Sequence, residues 1–314
     1  MLDAIGNTPL VRLKCTGKSA IFAKLEFFNP SGSIKDRLAK FLIEDAERRG
    51  LLKQGGAIVE NTTGNTGASL AMIGAAKGYR VILTVPDKAS REKLSALRAF
   101  GAEVIVAPSD VPAEDSRSYH SIARRLVREI PNSFHPNQYD NQLNARAHYH
   151  STAPELWKQM KEKIDYLIAG IGTGGTLSGV SKYLKEHKPE VRAIAVDPEG
   201  SIFYNHFYKH KFSKASNYKI EGIGGSKMCK ALDWSYIDDV VQVSDRQAFR
   251  MARRLAREQG IFAGGSSGAA VHAALELAKE LDEPKSIAVI LPDSGLKYAS
   301  TIYNDEWMRT HNFL

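Results

Sequence analysis

The sequence predicts an α/β protein built on parallel sheets that helices cover on both faces. Short apolar runs with little polar alternation, such as those at 20–25, 81–86 and 286–291, alternate with segments of helical period nearly throughout the chain. Runs of this kind are typical of parallel strands, which are buried on both faces. The 314 residues are enough for two lobes. We therefore expect a two-lobed protein of the α/β class.

The predicted elements follow one another in a regular order. Strands are predicted at 20–25, 57–60, 81–86, 103–106, 166–169, 193–196 and 286–291. Helices are predicted to begin near Lys35 and near Asn65, and a further helix covers 92–100. Residues 200–228 are rich in Tyr, His, Phe and Lys without clean periodicity. We expect a long surface loop there, of the kind that often contacts substrate.

Composition and charge are ordinary and mainly narrow the expected partners. Hydrophobic residues make up 43% and charged residues 25% of the chain, which is ordinary for a soluble globular enzyme. The net charge of +8 comes from 43 basic and 35 acidic residues. The basic residues are scattered along amphipathic helices, so we expect attraction for anionic metabolites and no nucleic-acid partner.

Cysteine positions and hydropathy bear on metal sites, disulfides and the expected cellular compartment. Cys15 and Cys229 lie far apart without metal-ligand spacing, so neither a metal site nor a disulfide framework is expected. No apolar run has the length of a membrane span, and the first residues lack a signal-peptide pattern. We expect a cytoplasmic protein with no membrane partner.

Lys35 is the first candidate for chemistry. A turn-forming Asn-Pro-Ser-Gly at 29–32 leads into a helical pattern, with Ser31 or Ser33 available to cap the helix. Lys35 then sits in the first turn, where the helix dipole disfavours a cation. The neutral amine that this favours is the form that condenses with carbonyl groups. A solvated lysine is the alternative.

Three glycine-rich turns follow predicted strands or open predicted helices. Residues 60–69, Glu-Asn-Thr-Thr-Gly-Asn-Thr-Gly-Ala-Ser, present donors suited to a small anion such as a carboxylate. Residues 170–179, Gly-Ile-Gly-Thr-Gly-Gly-Thr-Leu-Ser-Gly, are suited to a phosphate bound by backbone N–H groups. A dinucleotide loop with Asp197 about 20 residues on is the competing interpretation. The third turn, at 264–268, is weak alone.

Together these motifs resemble the fold-type II pyridoxal-phosphate enzymes, in the cysteine synthase and cystathionine β-synthase branch. The resemblance covers nearly the whole chain, from the opening Ile-Gly-Asn-Thr-Pro-Leu at 5–10 through Gly-Ser-Ile-Lys-Asp-Arg at 32–37 to the late Gly-Gly-Ser. Finer resemblance is to cystathionine β-synthases, including bacterial members. It rests on the segments 196–201, 221–224, 291–294 and 305–308, and on the final Phe-Leu.

The resemblance implies the fold and its division. We expect a tryptophan synthase β-like fold of two three-layer α/β/α lobes with the active site between them. Residues 40–145 would form a smaller mobile domain, and 1–39 plus 146–314 a larger domain that binds pyridoxal phosphate. A homodimer is usual in the family. We also expect that the chain lacks the regulatory tail and the heme-binding extension of some members.

The resemblance also implies roles for individual residues. Lys35 is the catalytic residue, which forms the internal aldimine and moves the proton at the substrate's α-carbon. Asn65 binds the cofactor's 3′ oxygen, and Ser266 faces the pyridine nitrogen. The cofactor phosphate is bound by Gly172, Thr173, Gly174, Gly175 and Thr176. The substrate is bound by Thr62, Thr63, Gly64, Asn65, Thr66 and Gln138, with Gly222 and Gly224 at the second-substrate side.

The expected activity is β-replacement on serine, O-acetylserine or O-phosphoserine. The donor's leaving group departs to give an aminoacrylate, and a thiol, homocysteine or sulfide, adds to give cystathionine or cysteine. A neutral Ser266 hydroxyl in place of an aspartate favours this course over transamination.

Two departures from the family pattern leave alternatives open. Residues 61–63 read Asn-Thr-Thr, where a proline before Thr-Ser is more usual, and 225–227 read Gly-Ser-Lys, where cystathionine β-synthases usually place an aromatic and an acidic residue. The second departure is closer to enzymes that join O-phosphoserine to glutamate. Lys219 and Lys227 are interpreted as solvated, with contact to a phosphate or a second carboxylate as the alternative. A non-catalytic member that docks a partner, such as a serine acetyltransferase tail, is a third possibility.

Overall fold

The computed structural model describes residues 1–62, 64–87, 89, 91–108, 110–112, 114–210 and 214–314, except for the side chain of Arg91. The strands are β1 (Leu10–Arg12), β2 (Ala20–Leu25), β3 (Ala57–Asn61), β4 (Arg80–Pro86), β5 (Glu103–Ala107), β6 (Ser133–Phe134), β7 (Tyr166–Gly170), β8 (Arg192–Pro198), β9 (Asp239–Val243) and β10 (Ser286–Leu291). The helices are α1 (Lys35–Arg48), α2 (Asn65–Lys77), α3 (Arg91–Ala99), α4 (Tyr119–Glu129), α5 (Leu143–His150), α6 (Thr152–Gln159), α7 (Gly175–His187), α8 (Phe203–Lys209), α9 (Asp245–Gln259), α10 (Gly265–Glu280) and α11 (Asp305–Thr310).

The predicted strands are confirmed as β2, β3, β4, β5, β7, β8 and β10. The prediction of a continuous loop over 200–228 is wrong, because α8 lies within it. Phe203 at the start of α8 is fully buried in the core beside the larger sheet, and this tertiary contact has no signature in the local sequence pattern. The other described residues of that stretch form neither helix nor strand.

Two separate sheets organise the chain. The larger has the strand order β1-β2-β10-β7-β8-β9, in which only β1 runs antiparallel to its neighbour. The smaller has the order β5-β4-β3-β6 and is parallel throughout. Parallel strands require crossover connections, and the helices between the strands supply them. The two α/β lobes expected from the sequence are therefore present.

Each sheet is the middle layer of three. In the larger sheet, Ile168 and Val289 share a core with α9, α10 and α11, whereas their neighbours Leu167 and Ala288 share another core with α6 and α7. In the smaller sheet, β3 and β4 contribute alternate residues to a core with α1 and α2 and to a core with α4. Alternation of side chains along each strand buries both faces. Among the described residues, no helix combines the length and apolarity needed to cross a membrane.

The lobes meet at a cleft beside the carboxyl ends of their strands. Its lining includes Thr62 and Pro86, which lie at the ends of β3 and β4, and Gly170 and Pro292, which lie at the ends of β7 and β10. Ligands of open parallel sheets bind at this edge. The strands of the smaller sheet fall inside the range 40–145 given to the mobile domain, whose limits remain a prediction.

A buried ionic cluster fixes the start of α1 against the larger lobe. Arg37 donates to Glu26 at 2.7 Å and to Glu155 at 2.9 Å, and Lys24 pairs with the other oxygen of Glu155. Lys24 also donates to the backbone oxygen of Thr8 at 2.6 Å. The side chains of Lys24, Glu26 and Arg37 are at most 2% exposed and that of Glu155 is 14% exposed. The cluster joins β2, α1 and α6, and its Arg37 lies two residues after Lys35.

Removing Glu155 is expected to destabilise the fold strongly. The Glu155→Ala variant leaves two buried cations short of their counter-charge, and breaking such a pair costs about 3–5 kcal/mol. Urea denaturation followed by circular dichroism measures the loss. Glu280→Ala is the control, because Glu280 is exposed on α10, and exposed sites usually change stability by less than about 0.5 kcal/mol. Equal midpoints for the two variants would contradict the structural role of the cluster.

Candidate active site

The inter-lobe cleft has a volume of about 730 Å³. It gathers most of the site residues named from the sequence, and those that line it are Lys35, Thr62, Asn65, Thr66, Gln138, Gly172, Thr173, Gly174, Thr176, Gly222, Gly224 and Ser266. Gly64 and Gly175 belong to the same turns but do not line the cleft. Thr63 lies outside the described residues.

Backbone pairing at the end of β10 places Lys35 at the floor of the cleft. The Ile34 N–H donates to the Pro292 oxygen at 2.8 Å, and the Ser294 N–H donates to the Gly32 oxygen at 3.1 Å. Ser33 and Asp293 face each other across this short antiparallel bridge. The turn after β2 is therefore fastened to the end of its neighbour β10. Lys35 begins α1 immediately after this attachment.

Ser31 and Ser33 do not cap α1 in the way expected. The N-cap residue is Ile34, and no side chain caps the helix. The Ser33 hydroxyl lies 3.4 Å from the Lys35 N–H, which is a long contact. Ser31 instead bonds to Asp36, both through its hydroxyl and through its N–H at 2.7 Å. The serines thus hold the turn in place rather than terminate the helix.

Lys35 is half-buried, and its ammonium group loses its proton more easily than that of an ordinary lysine. Burial lowers the pKa of Lys35 to about 8, while the carboxylate of Asp293 opposes this shift. Loss of hydration disfavours the ammonium form. With that pKa, on the order of a tenth of the amine is neutral at pH 7. The site can therefore present a nucleophilic amine near neutral pH.

Asn65 is held from both sides by residues of the larger lobe. Its amide nitrogen donates to Asp293 at 2.8 Å, and its amide oxygen accepts from Lys297 at 2.7 Å. Tyr298 also donates to Asp293 at 2.7 Å. Asp293 is 1% exposed, and its second oxygen has no partner among the described residues. Asp293 and Lys297 were not predicted as site residues, although the Leu-Pro-Asp-Ser segment contributed to the resemblance.

The turn after β3 is held open by its own hydroxyl groups. Thr62 accepts from the N–H groups of Gly64 at 3.2 Å and Gly67 at 3.3 Å. Thr66 donates to the amide oxygen of Gln138 at 2.6 Å. The pairing of Thr66 with Gln138 brings together two residues that are 72 positions apart, both named from the sequence. The turn and Gln138 form one wall of the cleft.

The Gly172–Thr176 turn presents backbone N–H groups to the cleft. Gly174, at φ 84°, is the N-cap of α7 and supplies no side-chain cap. The first N–H groups of a helix have no partner within it, so they are available to an anion. A Cβ at Gly172 would lie 2.7 Å from the backbone oxygen of Gly222. Only glycine allows the two loops to approach this closely.

Two residues of α5 support this turn from behind and were missed from the sequence. Asn144 donates to the Thr173 hydroxyl at 3.0 Å, and its amide oxygen has no partner among the described residues. His148 lies 3.2 Å from the Thr176 hydroxyl. Burial lowers the pKa of His148 well below its ordinary value, with Lys35 and Arg37 adding to the effect. No motif marks these residues, because α5 is remote in sequence from the turn it supports.

Ser266 and Ser267, at the start of α10, lie in different surroundings. Ser266 lines the cleft. Ser267 is fully buried, and its hydroxyl has no partner among the described residues. The residue at this end of the cleft is thus a neutral hydroxyl.

Comparison with known proteins agrees with this geometry. The family model described as "Pyridoxal-phosphate dependent enzyme" matches residues 1–293. A cystathionine beta-synthase of Apis mellifera is 45% identical over the whole chain, which spans 63% of that relative. One of Saccharomyces cerevisiae is 40% identical over 99% of the chain, which spans 64% of it. The chain therefore covers less than two thirds of these relatives' lengths.

A solved structure described as O-ureido-L-serine synthase shares the whole fold. Its TM-score to this chain is 0.89 with 37% sequence identity, over 98% of both chains. At this identity and coverage, the two proteins are alike in sequence as well as in fold. The fold-type II interpretation of the sequence is confirmed, and the chain belongs to the family of pyridoxal-phosphate-dependent enzymes.

Proposed function

We propose that this protein catalyses β-replacement on serine or an O-activated serine. The donor is serine, O-acetylserine or O-phosphoserine, and the acceptor is a thiol, homocysteine or sulfide. The products are cystathionine or cysteine. The observation that carries the proposal is one cleft that joins the buried amine of Lys35, the N–H-rich turn before α7 and the Thr66–Gln138 wall. The names of the relatives, which are synthases of cystathionine and O-ureido-L-serine, support the same class.

The residues of the cleft fit pyridoxal phosphate. A neutral amine at Lys35 would bond its aldehyde carbon, and the turn from Gly172 to Thr176 would bind its phosphate. The start of α7, which has no side-chain cap after Gly174, supports this assignment. Asn65 would bind the 3′ oxygen, and Ser266 would face the ring nitrogen. Pyridoxal phosphate supplies the electron sink for the pair of electrons left at the donor's Cα.

The proposed reaction needs one group to move a proton. Lys35 takes the proton from the donor's Cα, and the donor's Cβ–O bond then breaks. The oxygen leaves with the bonding electrons, as acetate or phosphate, or as a hydroxide that takes a proton from solvent to become water. The acceptor thiol releases its proton to solvent, its sulfur bonds to Cβ, and Lys35 returns to Cα the proton that it took. The turn of Thr62, Gly64, Asn65 and Thr66, with Gln138 beside it, would bind the donor carboxylate throughout.

A second acceptor class is favoured by one observation. Lys227, in the Gly-Ser-Lys segment that departs from cystathionine β-synthases, lines the cleft. This supports an enzyme that joins O-phosphoserine to glutamate. Product mass distinguishes the two reactions. A non-catalytic role, in which the cleft docks a partner peptide, predicts tight peptide binding without turnover.

We also propose that residues 40–145 close over the donor. Closure would exclude water from the reactive carbon. The hydrogen bond between Asn65 and Asp293 crosses the cleft, and this link between the lobes supports a coupling of lobe position to the state of the site. A homodimer, a cytoplasmic location and a serine acetyltransferase partner remain predictions from the resemblance.

The direct test is an absorption spectrum of the purified protein followed by separate additions of the three donors. One donor is expected to change the visible band of the bound cofactor, and homocysteine, sulfide or glutamate is then expected to restore it. Mass spectrometry identifies the product. A visible band that no donor changes would contradict the proposed substrates. No band after addition of pyridoxal phosphate would contradict the assignment of Lys35.

Replacing Lys35 is expected to abolish covalent cofactor binding. Without the amine, the Lys35→Ala variant should show no protein-bound visible band after gel filtration, and turnover should fall at least about 100-fold, as for loss of a general acid–base group. Lys53→Ala, at an exposed position, should retain both. Circular dichroism shows whether the variants are folded. Wild-type turnover in Lys35→Ala would refute the mechanism.

The rate of cofactor addition should follow the ionisation of Lys35. Its pKa of about 8 means that half of the amine is neutral near pH 8 and that the neutral fraction levels off about one pH unit higher. We expect the rate at which pyridoxal phosphate joins the cofactor-free protein, measured by stopped-flow absorbance from pH 6 to 10, to have its midpoint near pH 8 and to reach a plateau above about pH 9. Propylamine in place of the protein supplies the control profile. A protein rate that still rises at pH 10, as for a lysine near 10.5, would contradict the lowered pKa.

A further inference from the structure

The loop at 222–229 carries Lys227, whose ammonium group lies at the exposed side of the cleft. The ammonium group of Lys227 lies 5.7 Å from the centre of the Tyr139 ring. Both residues line the cleft that contains Lys35. Lys227 is exposed as a whole residue, so its charge is reachable from solvent. Its position is that of a group that meets a ligand entering the cleft.

Apart from Lys35, the other described lysines that line the cleft are Lys93 and Lys219, and both have acidic neighbours. Lys93 pairs with Glu221. Burial raises the pKa of Asp245, and the Lys219 ammonium, which lies near this carboxyl, opposes the shift. Within the described part of the chain, no ion pair joins Lys227 to a carboxylate. Lys227 therefore differs from these lysines, because the recorded partner of its ammonium group is an aromatic ring and not a carboxylate.

Three side chains near Lys227, those of His120, Tyr139 and Cys229, are uncharged near pH 7. Burial, together with the charges of Lys227 and Arg124, lowers the pKa of His120 to about 4, while Glu114 opposes the shift. Burial raises the pKa of Tyr139. Burial also raises the pKa of Cys229 to about 11, against the ammonium groups of Lys227 and Lys35. Cys229 thus lies within reach of both lysine charges, which places Lys227 in the same compartment as the reacting amine.

The loop conformation explains why the lysine has this role. A Cβ at Gly225 would lie 2.8 Å from the ring of Phe203, which is fully buried. An aromatic residue at 225 would therefore require Phe203 to move. Ser226 is small, so Lys227 carries the long polar side chain of this segment. The segment presents a cation where the family pattern presents an aromatic and an acidic residue.

We propose that Lys227 binds the carboxylate of the second substrate, so that the acceptor is an amino acid rather than sulfide. A lysine ammonium is a strong donor to carboxylates. Among the described residues no carboxylate is paired with Lys227, whose nearest recorded partner is the Tyr139 ring, so its ammonium group is available to an incoming anion. The proposal rests on the β-replacement function and narrows its acceptor. Lys227 would determine acceptor specificity without touching the bonds that change.

The test compares acceptors that differ by one carboxylate. Homocysteine is matched with 3-aminopropane-1-thiol, its decarboxylated form, and glutamate and sulfide are also assayed. The variants are Lys227→Gln, Lys227→Arg and the control Lys230→Gln. Lys230 directly follows this loop but lines a separate cavity with Tyr236. Steady-state KM and kcat are measured for each acceptor, and donor binding is measured by titration of the visible band.

A specific pattern is expected. Lys227→Gln should raise KM for the amino-acid acceptor about tenfold or more, as for loss of one charged hydrogen bond. It should leave KM for the decarboxylated thiol and the donor titration unchanged. Lys227→Arg should restore most of the loss, and Lys230→Gln should behave as wild type.

Several results would overturn the proposal. Equal KM changes for the two matched thiols, an unchanged KM for the amino acid, or a wild-type enzyme that accepts only sulfide would each do so. A wild-type protein that converts none of the donors would refute the proposed function instead. In that case, calorimetric titration with homocysteine and glutamate still decides whether Lys227→Gln weakens binding of an amino acid.

Discussion

The buried carboxylate of Asp293 is the constraint on which the site depends. It faces the amine of Lys35, whose pKa would be lowered further by burial without this charge. The same carboxylate accepts from Asn65 and from Tyr298. Asn65 begins the helix that covers the smaller sheet, whereas Asp293 follows the central β10 of the larger. One side chain therefore tunes the reacting amine and ties the two lobes together across the cleft.

The cleft contains two kinds of group suited to anions. At the turn before α7, backbone N–H groups and hydroxyls carry no formal charge, and Asn144 and His148 contact the hydroxyls. At the opening of the cleft, lysines supply full charges, most of them balanced by neighbouring acids. Fixed dipoles in a buried site avoid the cost of burying a cation. An exposed lysine keeps most of its hydration, so its charge costs little free energy and can attract a charged substrate from solvent.

Sequence analysis predicted the strands and the three turns for a clear physical reason. Apolar runs mark parallel strands buried on both faces, and glycines mark places where the backbone must approach closely, as Gly172 does against Gly222. It did not predict Asn144 or His148, since these act through contacts that only the folded chain creates. The same limit explains α8, which depends on the burial of Phe203. The cap assigned to Ser31 failed because Asp36 competes for its hydroxyl.

The two halves of the site are held by different kinds of contact. Lys35 is fastened by a backbone bridge to β10 and by the charge cluster around Arg37, so a change there affects the core as well as the site. In the segment at 225–227, Gly225 lies against Phe203 and its N–H donates to Ser201. Substitutions at 226 and 227 can therefore alter the opening of the cleft without disturbing the amine or its carboxylate. Under the proposed function, this arrangement would let the acceptor vary while the donor chemistry stays fixed, and similar proteins do carry the names of different synthases.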